Sequence, residues 1–285
     1  MCVVWGLTWI AIRTGVAAVP PLFFAGSRFI AAGLLMLAWQ AARGGRLTVP
    51  RAEWPGFAFV SLLVIVASYA GLFWGMQYVA SGLAAVVNLG LMPIALFGFG
   101  LAHGSERFAA RPAFAALLGL AGLVLLFDPA LRGDSAERWG LAAIVAGTLA
   151  YSGGSVVSRP LVARHPPVLV AGLTCLAGGI GLTGLALIFE PVGAATFAAF
   201  LDPGVAAGWL FLLVFGSFVG FTIYLRLVRD WGASRAGLYA FVSPIIAVAT
   251  GVGVSGERFR ARELAGMAVM LAATWIALYR PAPAR

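Results

Sequence analysis

Asn88 and Met92 stand four residues apart, as do Tyr239 and Ser243, and a proline, Pro93 or Pro244, follows each pair at once. Residues four apart share one helix face. A proline inside a helix frees a backbone carbonyl and kinks the axis, which makes Pro93 and Pro244 candidate hinges. The same spacing separates Trp5 from Trp9 and Tyr151 from Ser155. These side chains offer ring faces, hydroxyls, one amide and a thioether, and Arg28 adds a cation. That is equipment for holding a solute without covalent chemistry.

The equipment of an enzyme is missing from the same depth. No Ser/His pair, pair of aspartates or metal-ligating cluster lies within an apolar run, so neither a catalytic residue, a metal site nor a cofactor is expected. The run "GVGVSG" (251–256) spells G-x-G-x-x-G, yet it ends an apolar stretch instead of following a strand, which reads as helix packing. Cys2 and Cys175 both sit inside apolar runs and make neither a disulfide framework nor a metal site.

The elements that must carry these residues follow from composition. Of 285 residues, 62% are hydrophobic and 10% charged, with a mean hydropathy of +0.99. Soluble domains run at about 45–50% apolar and about 25% charged. Such a chain has more apolar surface than a water-soluble fold of its size hides, and a span needs roughly 20 apolar residues. Breaking the chain at charges, prolines and loop residues gives ten spans: 2–19, 22–42, 54–78, 83–102, 112–127, 139–158, 168–189, 205–227, 236–255 and 263–280. The reading is an all-α polytopic membrane protein in a lipid bilayer. The net charge of +9 comes from arginines in short loops, which orient spans; no nucleic-acid partner is implied.

The chain repeats itself. "PPLFFAG" (20–26) returns as "PPVLVAG" (166–172) at an offset of 146, which lays Trp5 on Tyr151 and Trp9 on Ser155. Later in each half the offset is 151; it lays Asn88 on Tyr239, Met92 on Ser243, Pro93 on Pro244 and "SERFAAR" (105–111) on "GERFRAR" (256–262). The halves are residues 1–127 and 139–285, joined by a linker at 128–138. Each half holds five spans, an odd number, so the second is inserted upside down: two inverted five-helix repeats. That is the plan of many secondary transporters, with the solute bound near the midplane. The doubled Glu–Arg phrase joins the fourth and fifth spans of each half and reads as a structural hairpin lock held by local Glu–Arg pairing. With an inside N-terminus, Arg43, Arg46, Arg51, Arg107, Arg111, Arg159, Arg164, Arg226, Arg229, Arg235, Arg280 and Arg285 face the cytoplasm. Arg132, Arg138, Arg258, Arg260 and Arg262 face outward, so both termini are expected in the cytoplasm.

The runs "WGLTWIAIRTG…PPLFFAGSRFIAAGLL", "QYVASGLAAVVNLGLMPI…GSERF" and "GASRAGLYAFVSPIIAV…SGERF" resemble the EamA-type drug/metabolite transporter family over essentially the whole chain. The first signature departs from the family in carrying Ser105 where Gly is usual. The resemblance implies a ten-span carrier of the bacterial inner membrane, commonly an exporter of amino acids or related metabolites; aromatic amino-acid exporters of the YddG type form one branch. It also implies that the fifth and tenth spans lie at the periphery.

Symmetry gathers Trp5, Trp9, Asn88, Met92, Tyr151, Ser155, Tyr239 and Ser243 near one pseudo-twofold axis. Each of them read singly is equally a helix-packing residue. Such a lining suits a small amphipathic molecule with a flat apolar part, including an aromatic or large neutral amino acid, and suits a sugar phosphate poorly. Arg28, matching the "AGSRF" run, either receives a substrate carboxylate or caps carbonyls and reaches to the interface. Gln77 and Tyr78 are an outer gate or, for Tyr78, an interfacial anchor. No Asp or Glu lies mid-span, so uniport or exchange is expected over proton antiport, with proton-coupled efflux as the alternative. A channel and a non-transporting scaffold are the other classes; the expected assembly is a monomer or weak dimer.

Overall fold

In a computed structural model of the 285-residue chain, residues 2–79, 81–126, 135–243 and 261–278 are described. Those residues are helical throughout, with short connections. In chain order they form α1 (Cys2–Val16), α2 (Pro21–Ala42), α3 (Arg51–Gly75), α4 (Ser81–Ala102), α5 (Ala110–Leu126) and α6 (Ser135–Val157). There follow α7 (Arg159–Arg164), α8 (Pro167–Phe189), α9 (Ala194–Ala199), α10 (Pro203–Trp231), α11 (Ala233–Ala236) and α12 (Ala261–Leu278), with a further helical stretch at 239–243. Five helices are long and apolar enough to cross a membrane, 21–42, 51–75, 135–164, 167–189 and 203–231, and shorter apolar helices occupy 87–102, 110–122 and 264–276.

The ends of these helices lie where local chemistry puts them. Pro21, Pro167 and Pro203 open helices in the first-turn position, where a missing N–H costs nothing. The Asp202 carboxylate accepts from the backbone N–H groups of Gly204 (2.9 Å) and Val205 (3.0 Å), capping α10. Gly44, Gly104 and Gly232 take left-handed φ of +69°, +68° and +85° just past helix ends. The short α7 and α9 fall in stretches read from sequence as connections. Of the expected span 236–255, only the part up to residue 243 is described; Pro244, "GVGVSG" and most of the second Glu–Arg phrase lie outside the described residues, as does most of the linker.

Three close crossings organise the bundle: α2 on α8, α3 on α6, and α5 on α12. At the first, Gly26 and Gly33 of α2 meet Gly179 and Gly172 of α8 reciprocally, and a Cβ at Gly33 would stand 2.5 Å from the Leu176 backbone nitrogen. Small residues let helix backbones approach this closely, which is how apolar helices adhere where no hydrophobic force drives them together. Glu190 fastens the same pair at one end by accepting from the backbone N–H groups of Leu22 (2.8 Å) and Phe23 (3.0 Å). At the other end Glu53 pairs with Arg164 (3.0 Å) and His165.

The doubled phrase also makes contacts beyond its own loop. Glu106 makes no ion pair with Arg107 among the described residues. Arg111 Nε donates to the carbonyl of Ile276 (2.7 Å) in the last turn of α12, and Arg262 Nη2 donates to that of Val124 (3.4 Å) in the last turn of α5. Each copy thus places a cation on the C-terminal carbonyls of the other half's helix, where the free carbonyls and the helix dipole favour positive charge. Arg111→Ala is expected to lower the stability of the purified protein by about 1 kcal/mol, read as a shift in thermal unfolding in detergent.

Candidate functional site

A cavity of about 100 Å³ lies within the bundle, walled by α1, α2, α3, α4, α6, α10 and the 239–243 stretch. Trp5, Arg28, Asn88, Met92, Tyr151, Tyr239 and Ser243 all line it, so seven of the residues picked out by type and spacing meet around one space. Ser155 is buried one turn from Tyr151 and outside the lining. Tyr78 lies apart: it packs on Trp74 at 4.9 Å in a separate surface cavity with Gln77 and Glu190. The side chain of Trp9 lies outside the described residues. Pro93 sits within the unbroken α4 and faces a different cavity.

The local backbone explains how the walls present polar groups. α3 and α10 each contain a wide π-helical stretch, at Leu62–Ala67 and Leu212–Val219. Such bulges shift the hydrogen-bond ladder and free carbonyls from their usual partners. The indole Nε1 of Trp5 donates to the Gly216 carbonyl within the second bulge (3.0 Å), which sets the ring at the cavity wall. On the facing side Asn88 Nδ2 donates to Thr148 Oγ1 (3.0 Å), which itself donates to the Ile144 carbonyl (2.8 Å). That chain fixes the amide in an otherwise apolar wall.

Arg28 is buried, with 3% of its surface exposed. Its Nη1 donates to Ser217 Oγ (3.2 Å), and the guanidinium carbon lies 4.2 Å from the ring centre of Phe29 and 5.5 Å from that of Tyr69. Cation–π contacts at such distances attract a guanidinium to the ring faces. Nε and Nη2 have no hydrogen-bond partner, although the Tyr69 side chain stands beside them.

Toward the end of the bundle that carries the α2–α3 and α4–α5 connections, the cavity is shut by a packed group of rings. Trp5 meets Tyr239 edge-on at 4.4 Å and Tyr224 at 5.6 Å; Tyr224 meets Tyr151 at 5.7 Å and Tyr239 at 6.0 Å. The Tyr239 hydroxyl donates to Met92 Sδ at 3.0 Å. On the far side of that contact is a second cavity of about 300 Å³, lined by Pro93, Phe97 and Leu238, with Glu106, Arg107, Arg159 and Arg235 around it. Met92 and Pro93, and likewise Leu238 and Tyr239, therefore face opposite cavities. One layer of side chains separates the two spaces.

Tyr224, Tyr69, Thr148 and Ser217 complete the site without having been singled out from sequence. A signal existed for the tyrosines: each is a phenol within an otherwise apolar span, and both lie in spans that the paired-proline pattern leaves aside. The arrangement has no nucleophile–base pair, and among the described residues no cluster of His, Cys, Asp and Glu capable of holding a metal. Reversible binding and passage are what it can do.

Comparison with known proteins agrees with that chemistry. The EamA-like transporter family model matches residues 1–128 and 138–279. The chain is 31% identical over 272 residues to YedA of Escherichia coli K12, described as an uncharacterized inner membrane transporter, covering 94% of this chain and 85% of that one. It is 22% identical over 282 residues to a protein of Salmonella typhimurium described as a probable amino-acid metabolite efflux pump, covering 97% and 92%. A solved crystal structure shares the fold with a TM-score of 0.75 at 23% identity, covering 97% of this chain and 94% of that one.

Proposed function

The chain belongs to the EamA-like transporter family, and on that premise we propose that it is a ten-span carrier that exports amino acids, aromatic or large neutral, or related small metabolites by alternating access. It is a multi-pass membrane transporter, as its relatives and its apolar helices establish. What carries the finer reading is the single layer of side chains, Met92 with Tyr239 and Trp5, between a central cavity and a second one beyond it. A carrier needs such a layer on each side of its site, one closed while the other opens.

The inverted-repeat reading draws support from two reciprocal contacts: Gly26 and Gly33 against Gly179 and Gly172, and Arg111 and Arg262 against each other's helix ends. A twofold axis in the membrane plane generates pairs of this form. The matching π bulges in α3 and α10 add a third. With the arginine-rich loops in the cytoplasm, the aromatic layer is the inner gate and both termini are cytoplasmic. The central cavity is smaller than the roughly 300–1,000 Å³ of ordinary ligand pockets, so a solute enters as the walls draw apart. The similarity to a probable amino-acid metabolite efflux pump favours amino acids as cargo. With no carboxylate among the described residues that line the cavity, the cycle runs as uniport or exchange.

Counterflow of labelled phenylalanine, tryptophan, leucine and threonine into proteoliposomes tests this. The expected result is saturable uptake that is unchanged by an imposed pH gradient. Strict dependence on the gradient overturns the uncoupled cycle, and no movement of any of the four overturns the amino-acid cargo.

A further inference from the structure

We propose that Arg28 reads the carboxylate of the cargo through its Nε–Nη2 edge, and that the central site selects carboxylic acids with an apolar body whether or not they carry an amine. The inference rests on the central cavity being the substrate site and names the group that the site recognises.

The guanidinium has five N–H donors in a fixed plane. The Phe29 and Tyr69 rings lie 4.2 and 5.5 Å from its central carbon and Ser217 takes Nη1, which leaves the side-on edge. Nε–H and Nη2–H run parallel on that edge at the spacing of two carboxylate oxygens, which is the geometry of the strong bidentate pair. Both nitrogens are buried and make no hydrogen bond of ordinary geometry, the neutral Tyr69 hydroxyl being the polar group that stands beside the guanidinium. Among the described residues no carboxylate neutralises the charge: none of those lining the cavity is Asp or Glu, and in the sequence all ten acidic residues lie at or beyond the ends of the apolar spans. A buried cation with a free fork and no counter-ion is completed by an anion brought in from outside. The same absence means that no carboxylate waits for an ammonium group. The cargo's amine is left to ring faces and the Asn88 amide, which also accept its absence.

The test uses purified full-length protein in lipid nanodiscs, with intrinsic tryptophan fluorescence and thermal unfolding as binding signals. The probes are L-phenylalanine, phenylacetate, L-phenylalaninamide and phenethylamine. The first two are expected to bind, and the amide and amine to bind at least about 30-fold more weakly, as for loss of one partner of a buried charged pair. Arg28→Gln is expected to erase that discrimination. Arg28→Lys, which keeps the charge and loses the fork, is expected to fall between. Arg28→Gln loses the Ser217 and ring contacts but also removes a buried charge with no carboxylate beside it. Without ligand it is therefore expected to unfold close to the parent's temperature, which separates lost binding from lost folding. Equal binding of all four compounds, or discrimination that survives Arg28→Gln, overturns the carboxylate assignment and leaves the cavity as the site. Absence of any signal from all four overturns both this assignment and the amino-acid reading.

Discussion

Tyr239→Ala is expected to cut saturable flux by about 100-fold while the protein still folds. Tyr239 contributes at once to the cavity wall, to the edge-on contact with Trp5 at 4.4 Å, and to the hydroxyl–sulfur contact with Met92 at 3.0 Å. Truncating a buried aromatic side chain costs about 3–5 kcal/mol where its neighbours cannot close in. In the proposed alternating-access cycle the loss falls mainly on the conformation in which the rings are packed, because the opposite conformation would have separated them. A differential of about 3 kcal/mol moves a two-state balance by roughly 100-fold, enough to leave the proposed inner gate standing open. The direct reading is thiol chemistry: in a background with Cys2→Ala and Cys175→Ala, Leu89→Cys lines the cavity and is protected from a membrane-impermeant reagent applied on the arginine-rich side. Adding Tyr239→Ala is expected to make it reactive. Tyr239→Phe keeps the ring and loses only the hydroxyl contact, with a change in flux of about 2- to 5-fold. Protection of Leu89→Cys that persists in Tyr239→Ala would remove Tyr239 from the gate.

Gly33→Val is the second large effect, and it acts on folding. The Cβ it adds would stand 2.5 Å from the Leu176 nitrogen and 2.8 Å from the Gly172 carbonyl oxygen. Both are backbone atoms, so no side chain can rotate away, and the two helices must part. The expected cost is about 3 kcal/mol or more, seen as a fall in melting temperature of roughly 6 °C or more, or as loss of the monodisperse peak. Gly184, on the same helix α8, has nothing within 4 Å of an added Cβ. Gly184→Ala is accordingly expected to be neutral or to gain a few tenths of a kcal/mol through helix propensity. Equal effects at the two glycines would show that close contact at the α2–α8 crossing is not what holds it.

The sequence made the helices legible because charges and prolines interrupt long apolar runs; Pro21, Pro167 and Pro203 open helices within one or two residues of the expected starts. It also made seven cavity residues legible: Asn88, Met92, Tyr239 and Ser243 through a proline after an i, i+4 pair that repeats at the 151 offset, Trp5 and Tyr151 through the 146 offset, and Arg28 as a charge within an apolar run. Other features depend on contacts between distant segments. The role of the doubled Arg phrase needs the α5–α12 crossing, since Arg111 and Arg262 act on carbonyls 165 and 138 residues away. The state of Arg28 needs Ser217, 189 residues later, and the ring of Tyr69. Tyr224 gives no periodic signal, because its place beside Trp5, Tyr151 and Tyr239 follows from the π bulge that turns α10. Tyr78 shows the opposite case: a polar aromatic residue near a span end whose surroundings are Trp74 and a surface cavity.

Alternating access is tested most directly by distances across both ends of the bundle at once. Spin labels at Ser105 and Ser234 report the space beyond the aromatic layer, and labels at Ala17 and Gln77 report the opposite end. In nanodiscs, with and without saturating phenylalanine, the expected result is two interconverting populations in which one pair lengthens as the other shortens, and Tyr239→Ala locks the Ser105–Ser234 pair in its long form. Both pairs long in the same molecules would describe a continuous channel and contradict the account.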